Sequence, residues 1–336
     1  MIPKRKEIEM RYLFGVFMTF LSASVFAEPI VSDITAKQRY PWNGLVDITC
    51  KVSGIDETIA DRQFVVSAVF PDSENAVKMS KVWVVRDGVE SGNLAADANG
   101  NYRLLWDAKA DLGEVRYTNM VVRVTINERQ KVQLWEGGPY WATTNIGAEK
   151  PEDYGYYFWW GDTVGYKREN DKWVASDGSN PNFSFTESNT PTYNKSVSTL
   201  QSEGWITADG VLAPEHDAAK KHWGGDWRMP TQQEFSDLNS KCDWVWTTTN
   251  GVNGYVVCGK GDYLSKSIFL PCADYGNGTS LVGAGSGGNS WSSVPYSDNF
   301  NFDYAWGLHF HSGYHFTYYY YRFYGRSVRP LQGFTK

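Results

Sequence analysis

The sequence predicts an all-β N-terminal domain followed by a C-terminal domain that mixes helices and strands. Runs with apolar residues at every second position, separated by turn residues, fill residues 28–133. Two helix patterns between residues 214 and 241 are then followed by further strand patterns. The chain has 336 residues, which is enough for two ordinary domains.

Residues 1–27 have the organisation of a secretory signal. A basic stretch, Lys4–Arg11, precedes an apolar run, Tyr12–Ala27, that ends in small residues. Such an ending suits cleavage by signal peptidase, so we expect Glu28 to be the mature N-terminus.

Two alternatives remain for this segment, an uncleaved membrane anchor and a start at Met10 with a shorter basic region. The apolar run is short for a membrane span, which favours cleavage. We therefore expect an exported protein that is periplasmic, on the cell surface or secreted, and not an integral membrane protein after signal cleavage. The net charge of −6, without a basic stripe, argues against nucleic acid as a partner.

The N-terminal domain is predicted as a small β-sandwich spanning residues 28–133. Its clearest strand patterns are Leu45–Val52, Gln63–Phe70, Lys81–Arg86 and Met120–Ile126. The stretch Arg39–Ile48 and the later Trp106-Asp107 resemble the immunoglobulin-like modules that precede lectin-like domains in exported bacterial proteins. That resemblance implies a role as a spacer or docking unit.

Four cysteines allow three disulfide pairings in an exported protein. Cys258 and Cys272 lie on successive predicted strands and form the favoured pair. Cys50 stands alone in the first domain, where we expect a buried free thiol. No cysteine or histidine spacing indicates zinc, and Cys242 has no assigned partner.

The C-terminal domain, residues 134–336, begins with segments rich in Trp, Tyr and Gly. Residues 162–210 are polar and are interpreted as a long surface insertion. Helices are predicted over Pro214–Trp223 and from Thr231, where Thr231 to Glu234 form a capping box. The later predictions are a hairpin of Trp244–Thr248 and Tyr255–Cys258, a strand Ser267–Pro271, a flexible loop at Gly283–Gly288 and a closing strand at Gly325–Leu331.

A set of motifs in this domain resembles the Fibrobacter succinogenes major paralogous domain family. The matching stretches, in order, are Trp141–Ala148, Pro151–Gly161, Trp223–Pro230, Trp244–Cys258, Trp291–Ser293 and Gly325–Pro330. The resemblance implies the fold of C-type lectins and formylglycine-generating enzymes. The expected fold class is therefore an α+β C-type-lectin-like domain preceded by an all-β immunoglobulin-like sandwich.

The closing part of the domain has an unusual composition. From Ser267 to Leu331 there is no Lys, Glu, Gln or Met. Apart from Trp306, the residues of Tyr296–Tyr324 are those reached by changing the adenines of an AAC codon. This resembles the variable region of proteins diversified by retroelements, which implies a hypervariable ligand-binding face. The alternative is an undiversified member of the family with an aromatic tail.

We expect the ligand contacts to lie in this tail, because exposed aromatic clusters usually mark contact sites. The candidate residues are Tyr296, Asp298, Asn299, Phe300, Phe302, Tyr304, His309, His311, Tyr314, His315, Phe316, Tyr318, Tyr319, Tyr320, Tyr321, Phe323 and Tyr324. The leading hypothesis is an exported binding protein that holds an unidentified protein or glycan ligand. The alternatives are a structural or adhesive envelope component and, third, an enzyme of unknown type on the same fold.

Catalytic and metal chemistry finds little support in the sequence. His309, His311 and His315, with Asp303 nearby, could bind a metal, but contact roles like those of their aromatic neighbours are favoured. The sugar-binding motifs of calcium-dependent lectins and the late cysteines of formylglycine-generating enzymes are absent, as is a Gly-x-Ser-x-Gly elbow. Glu215-His216-Asp217 is interpreted as a solvated helix start. We therefore expect no enzyme activity, no cofactor and no metal.

Overall fold

The computed structural model describes part of the chain. The described residues are 30–40, 43–53, 62–69, 77–78, 82–86, 89–91, 101–109, 113, 121–297 and 302–333. The predicted signal at residues 1–27 lies outside them. Within the described residues, no helix combines the length and the apolar character needed to cross a membrane.

The described residues of the N-terminal part form two antiparallel sheets. Its strands are β1 (Ile30–Gln38), β2 (Leu45–Ser53), β3 (Arg62–Val69), β4 (Val77–Lys78), β5 (Val82–Arg86), β6 (Val89–Ser91), β7 (Asn101–Asp107) and β8 (Val121–Glu128). One sheet has the order β1-β2-β7-β5-β6 and the other β4-β3-β8. Alternating residues of β2 and β7, among them Ile48, Cys50, Leu104 and Trp106, are buried in one apolar cluster. The period-two pattern in the sequence thus marks the inward-facing positions.

The C-terminal part contains fourteen further strands among its described residues. They are β9 (Lys131–Gln133), β10 (Tyr140–Ala142), β11 (Tyr166–Glu169), β12 (Lys172–Ala175), β13 (Asp243–Thr249), β14 (Val252–Cys258), β15 (Ser267–Pro271), β16 (Tyr275–Asn277), β17 (Ser280–Val282), β18 (Gly287–Pro295), β19 (Tyr304–His311), β20 (Tyr314–Tyr321), β21 (Gly325–Arg326) and β22 (Leu331–Gln332). They form small antiparallel sheets: β22-β10-β9, β11-β12, β13-β14-β15, β17-β16-β21 and β18-β19-β20.

Three short α-helices accompany these sheets within the described residues. They are α1 (Val197–Ser202), α2 (Ala218–Trp223) and α3 (Gln232–Lys241). The predicted capping box of α3 is confirmed, because Thr231 accepts from the backbone of Glu234 and the Glu234 side chain accepts from the backbone of Thr231. Helix α2 begins four residues later than predicted. Its start is the N-cap Asp217, which is buried and accepts from the backbone N–H of Lys220 and of Met229.

The expected α+β, C-type-lectin-like fold class is wrong. The described chain is mostly β structure, arranged as several small antiparallel sheets with little helix. The physical reason is that the helix signals extend over short segments only, with six residues in α1, six in α2 and ten in α3. Everything described from Ser267 to Gln332 forms strands and their connections.

The interpretation of residues 162–210 as a surface insertion is also wrong in part. Strands β11 and β12 form a hairpin there, and Trp173 and Phe185 are fully buried. Their rings pack edge to face, with centroids 5.0 Å apart, in a cluster that includes Tyr157 and Ala273. The polar composition of the segment hid the few large rings that supply its core.

The favoured Cys258–Cys272 disulfide is not formed, and all four cysteines are free thiols. The register of β14 and β15 explains this. Cys258 lies opposite Ser267, whereas the backbone N–H of Cys272 donates to Asn253 O at the other end of the strand pair. Five residues of extended chain separate the two positions by roughly 17 Å, well beyond the reach of a disulfide. The expectation of a buried free thiol at Cys50 is confirmed, and burial raises the pKa of that thiol to about 11.

Two apolar clusters hold the C-terminal sheets in place. One contains Trp160, Trp227 and Trp291, and the other contains Trp141, Phe235, Leu308 and Phe310. Phe235 comes from α3 and Leu308 from β19, so the helix packs against one side of the β18-β19-β20 sheet. On the opposite side of the sheet, Trp291 and Ala305 belong to the first cluster, and the part of that side towards His311 and Tyr314 is the face described next.

Candidate ligand-binding surface

Strands β19 and β20 form a regular antiparallel hairpin that carries most of the predicted contact residues. Its register runs from Tyr304 opposite Tyr321 to His311 opposite Tyr314 without interruption. Directly opposed residues share a face of a sheet, and neighbours along a strand point to opposite faces. The hairpin register therefore assigns each aromatic residue to one of two sides.

One side of the hairpin packs inward. Leu308 and Phe310 belong to the apolar core beneath α3. His315 lies on the same side, where its Nδ1 is 2.9 Å from Asn239 Oδ1 of α3 and its ring stacks on Trp244 at 4.1 Å between centroids. His315 is therefore a packing residue, and it does not share a face with His309 and His311.

The other side of the hairpin carries exposed rings. Tyr314, Phe316 and Tyr318 alternate along β20 and are 40%, 39% and 44% exposed. His309 and His311 stand beside them on β19. We call these five side chains, His309, His311, Tyr314, Phe316 and Tyr318, the hairpin face.

The rings of the hairpin face contact one another continuously. Tyr314 and Phe316 stack with centroids 5.4 Å apart, and Phe316 meets Tyr318 edge to face at 5.9 Å. His309 lies 5.3 Å from Phe316, and His311 lies 3.6 Å from Tyr314. Such contacts restrict side-chain motion, so the exposed rings hold one another in place.

A polar edge borders the hairpin face on β18. Asn289 lies opposite His309, whose Nδ1–H donates to Asn289 Oδ1 over 2.9 Å. The Asn289 side-chain nitrogen donates in turn to Asp274 Oδ1. Burial raises the pKa of Asp274, and the neighbouring Arg326 charge and the Asn289 bond act in the opposite direction.

Arg326 lies beneath one end of this arrangement. Its guanidinium packs over the rings of Tyr320 and Trp291 and donates to Asn289 Oδ1. Burial lowers its pKa to about 10. Burial, and then the nearby charges of Arg326 and His311, lower the pKa of His309 to about 4. His309 is therefore neutral at pH 7.

The remaining candidate residues divide into separate groups. Tyr296 stacks on Tyr319 at 4.0 Å between centroids, and Tyr304 lies 4.6 Å from Tyr321, all on the opposite side of the hairpin from the hairpin face. These four rings are partly buried.

The last rings of the tail pack against other segments. Tyr324 packs beside Tyr275 with centroids 4.8 Å apart, and Phe323 meets Tyr193 at 5.5 Å. Phe302 is exposed but precedes the hairpin. Asp298, Asn299 and Phe300 lie outside the described residues. The structure thus brings together only part of the predicted set.

Comparison with known proteins finds no match. No family model, curated protein or solved structure matches the chain. Among the described residues, no group of three or more His, Cys, Asp or Glu side chains is placed to hold a metal ion.

Sequence reasoning missed the polar edge. Gly283–Gly288 was expected to be a flexible loop, yet Gly287 and Gly288 are buried and begin β18. Asp274 and Arg326 lie far apart in the chain and meet only in the fold. The available signal was the alternation of Asn289 and Trp291 with small residues along one strand, which is weak beside so many aromatic residues.

Proposed function

We propose that this protein binds a protein or glycan ligand on the hairpin face. The observation that carries the proposal is the exposure of Tyr314, Phe316 and Tyr318 on one side of a hydrogen-bonded hairpin. Aromatic side chains supply large contact areas at low entropic cost, and contiguous exposed rings usually mark interaction sites.

The support beneath these rings favours recognition over a purely internal role. The inward side of the same hairpin is fixed by Leu308 and Phe310 in the core. A ring on a rigid support loses little conformational freedom when it binds, which improves affinity. The three exposed rings lie on the side of the hairpin that faces away from Leu308 and Phe310, so they do not contribute to that core.

The test compares two triple variants of the mature chain. Ligands are first selected on the wild-type protein from a displayed peptide library and from a panel of purified glycans. The variant Tyr314→Ala, Phe316→Ala and Tyr318→Ala removes the exposed rings. The control Tyr140→Ala, Val245→Ala and Leu264→Ala removes exposed apolar side chains elsewhere.

We expect the selected ligands to bind the control as they bind the wild type and to lose affinity for the hairpin-face variant. Binding that persists in the hairpin-face variant contradicts the proposal. A large loss of thermal stability in the hairpin-face variant alone, with no selected ligand, supports the structural alternative.

We also propose that the protein is exported and that its tail is diversified. The basic stretch and apolar run of residues 1–27 support export, and N-terminal sequencing of the secreted or periplasmic form tests cleavage before Glu28. The absence of Lys, Glu, Gln and Met between Ser267 and Leu331 supports diversification. Sequencing this region in many cells of one culture tests it, since substitutions confined to adenine positions are expected.

A further inference from the structure

The polar edge of the hairpin face contains a carboxylate that reaches the same side as the exposed rings. Residue 287, opposite His311, is glycine and has no side chain. A Cβ built at Gly287 would lie 3.3 Å from Asp274 Oδ2, so this oxygen packs closely against the side of β18 that also carries Asn289. Asp274 therefore borders the hairpin face beside Asn289, although it precedes β16 in the chain.

The two oxygens of the Asp274 carboxylate differ in their hydrogen bonding. Oδ1 accepts from Asn289, and within the described part of the chain no hydrogen bond to Oδ2 is formed. The His309 ring likewise has one nitrogen in a hydrogen bond and one without. Its Nδ1 is hydrogen-bonded to Asn289, and its Nε2 has no partner among the described residues. Because His309 is neutral with its proton on Nδ1, Nε2 is an acceptor. Two acceptors therefore lie on the same side of the sheet as the three exposed rings.

The hairpin face presents no exposed cation. Arg326 is buried beneath Tyr320 and is 1% exposed. The segment from Ser267 to Leu331 has no Lys, and its other arginines, Arg322 and Arg329, are buried. A surface that selected phosphate or carboxylate ligands would need an accessible positive group. The surface therefore does not suit an anionic ligand, whereas the hydroxyl donors and apolar C–H faces of an uncharged ligand match its acceptors and its rings.

We propose, resting on the function proposed above, that the ligand is a neutral glycan. Its sugar rings lie against Tyr314, Phe316 and Tyr318, and one hydroxyl donates to Asp274 Oδ2. A hydrogen bond to a carboxylate is stronger than one between neutral groups, so Asp274 fixes the position of the sugar on the rings.

The experiment is affinity electrophoresis of the mature protein through gels that contain soluble polysaccharides. The probes are neutral glucans, mannans, xylans and galactans, with uronic-acid polymers as charged counterparts. The variant Asp274→Asn keeps the shape of the side chain and its bond to Asn289 but removes the charge. Two further variants, Gly283→Ala and Gly285→Ala, separate the effect of displacing the carboxylate from the effect of backbone strain.

The two glycines form a matched pair because both have a positive φ, +68° at Gly283 and +83° at Gly285. A Cβ at Gly283 would lie 1.7 Å from Asp274 Oδ2, whereas nothing lies within 4 Å of a Cβ at Gly285. Gly283→Ala must therefore move the carboxylate, and Gly285→Ala leaves it in place.

We expect at least one neutral polysaccharide to retard the wild-type protein, and uronic-acid polymers to retard it less. Asp274→Asn should weaken the retardation by about tenfold, as removal of a charge-assisted hydrogen bond does. Gly283→Ala should weaken it more than Gly285→Ala.

The proposal is overturned if no neutral polysaccharide retards the protein, or if Asp274→Asn leaves the retardation unchanged. If selected peptides still depend on the three rings in that case, the ligand-binding function stands and only the glycan assignment fails.

Discussion

The guanidinium carbon of Arg326 lies 3.5 Å from the centre of the Tyr320 ring. Arg326 belongs to β21 and Tyr320 to β20, so this contact joins the closing strands to the hairpin. The same guanidinium donates to Asn289, which holds both His309 and Asp274. One buried cation therefore positions the end of the hairpin and its polar edge together.

Replacing Arg326 with methionine should lower the free energy of unfolding by about 3 kcal/mol, since a buried charged hydrogen bond and a desolvated cation–π contact are both lost. Chemical denaturation of Arg326→Met measures the loss. Lys266→Met is the control, because Lys266 is exposed. Equal stability of the two variants would contradict the role given to Arg326.

Alanine at Gly283 should destabilise the protein more than alanine at Gly285. Each substitution places a Cβ on a residue with positive φ, which costs about 1–2 kcal/mol. Only the first also collides with the Asp274 carboxylate. Thermal denaturation of both variants checks the order, and a larger loss for Gly285→Ala would show that the loop over Asp274 is arranged differently.

The low pKa of His309 makes stability depend on pH. Burial, with Arg326 and His311 nearby, sets that pKa at about 4, against about 6.5 in an unfolded chain. Between these values the unfolded state binds the extra proton, so the stabilising contribution is present above pH 6.5 and is lost as the pH falls towards 4. His222 has a pKa of about 4 for the same main reason and acts in the same direction.

We therefore expect His309→Gln to make the decline of stability between pH 7 and pH 4 less steep, while the contribution of His222 persists. Urea denaturation across this range provides the measurement. Unfolding free energies at pH 8, where His309 is neutral in both states, give the effect of the substitution on packing alone. An unchanged slope would mean that His309 is not held neutral by its surroundings.

The capping box of α3, the helix that packs against the hairpin, should contribute measurably to the free energy of unfolding. Thr231→Ala removes the side-chain oxygen that accepts from Glu234 N, which typically costs about 1 kcal/mol. Thr279→Ala is a suitable control because Thr279 is exposed. Chemical denaturation should separate the two variants, and a loss in Thr279→Ala as large as in Thr231→Ala would argue against the cap.

The sequence predicts local structure well where periodicity and turn chemistry agree. The strand Ser267–Pro271 and the hairpin around Asn250-Gly251 are confirmed, as is the cap at Thr231. These features depend on neighbouring residues, so they can be recognised from a short window.

The fold class and the composition of the site could not be obtained in the same way. Period-two alternation predicts that residues lie in strands but not which strands pair, and the small sheets are set by long-range register. The site depends on that register, because it places Gly287 opposite His311 and so admits Asp274. Tyr318, Tyr319 and Tyr321 are tyrosines of the same strand, and the register places Tyr318 on one side of the hairpin and Tyr319 and Tyr321 on the other.

Nitration of tyrosine by tetranitromethane reports whether the Tyr314 and Tyr318 rings face water together. Mass spectrometry of the digested protein compares these residues with Tyr157 and Tyr255, which are buried. We expect Tyr314 and Tyr318 to be nitrated first and to be protected when a neutral glycan is bound. Nitration of Tyr314 and Tyr318 no faster than that of Tyr157 and Tyr255 would contradict it.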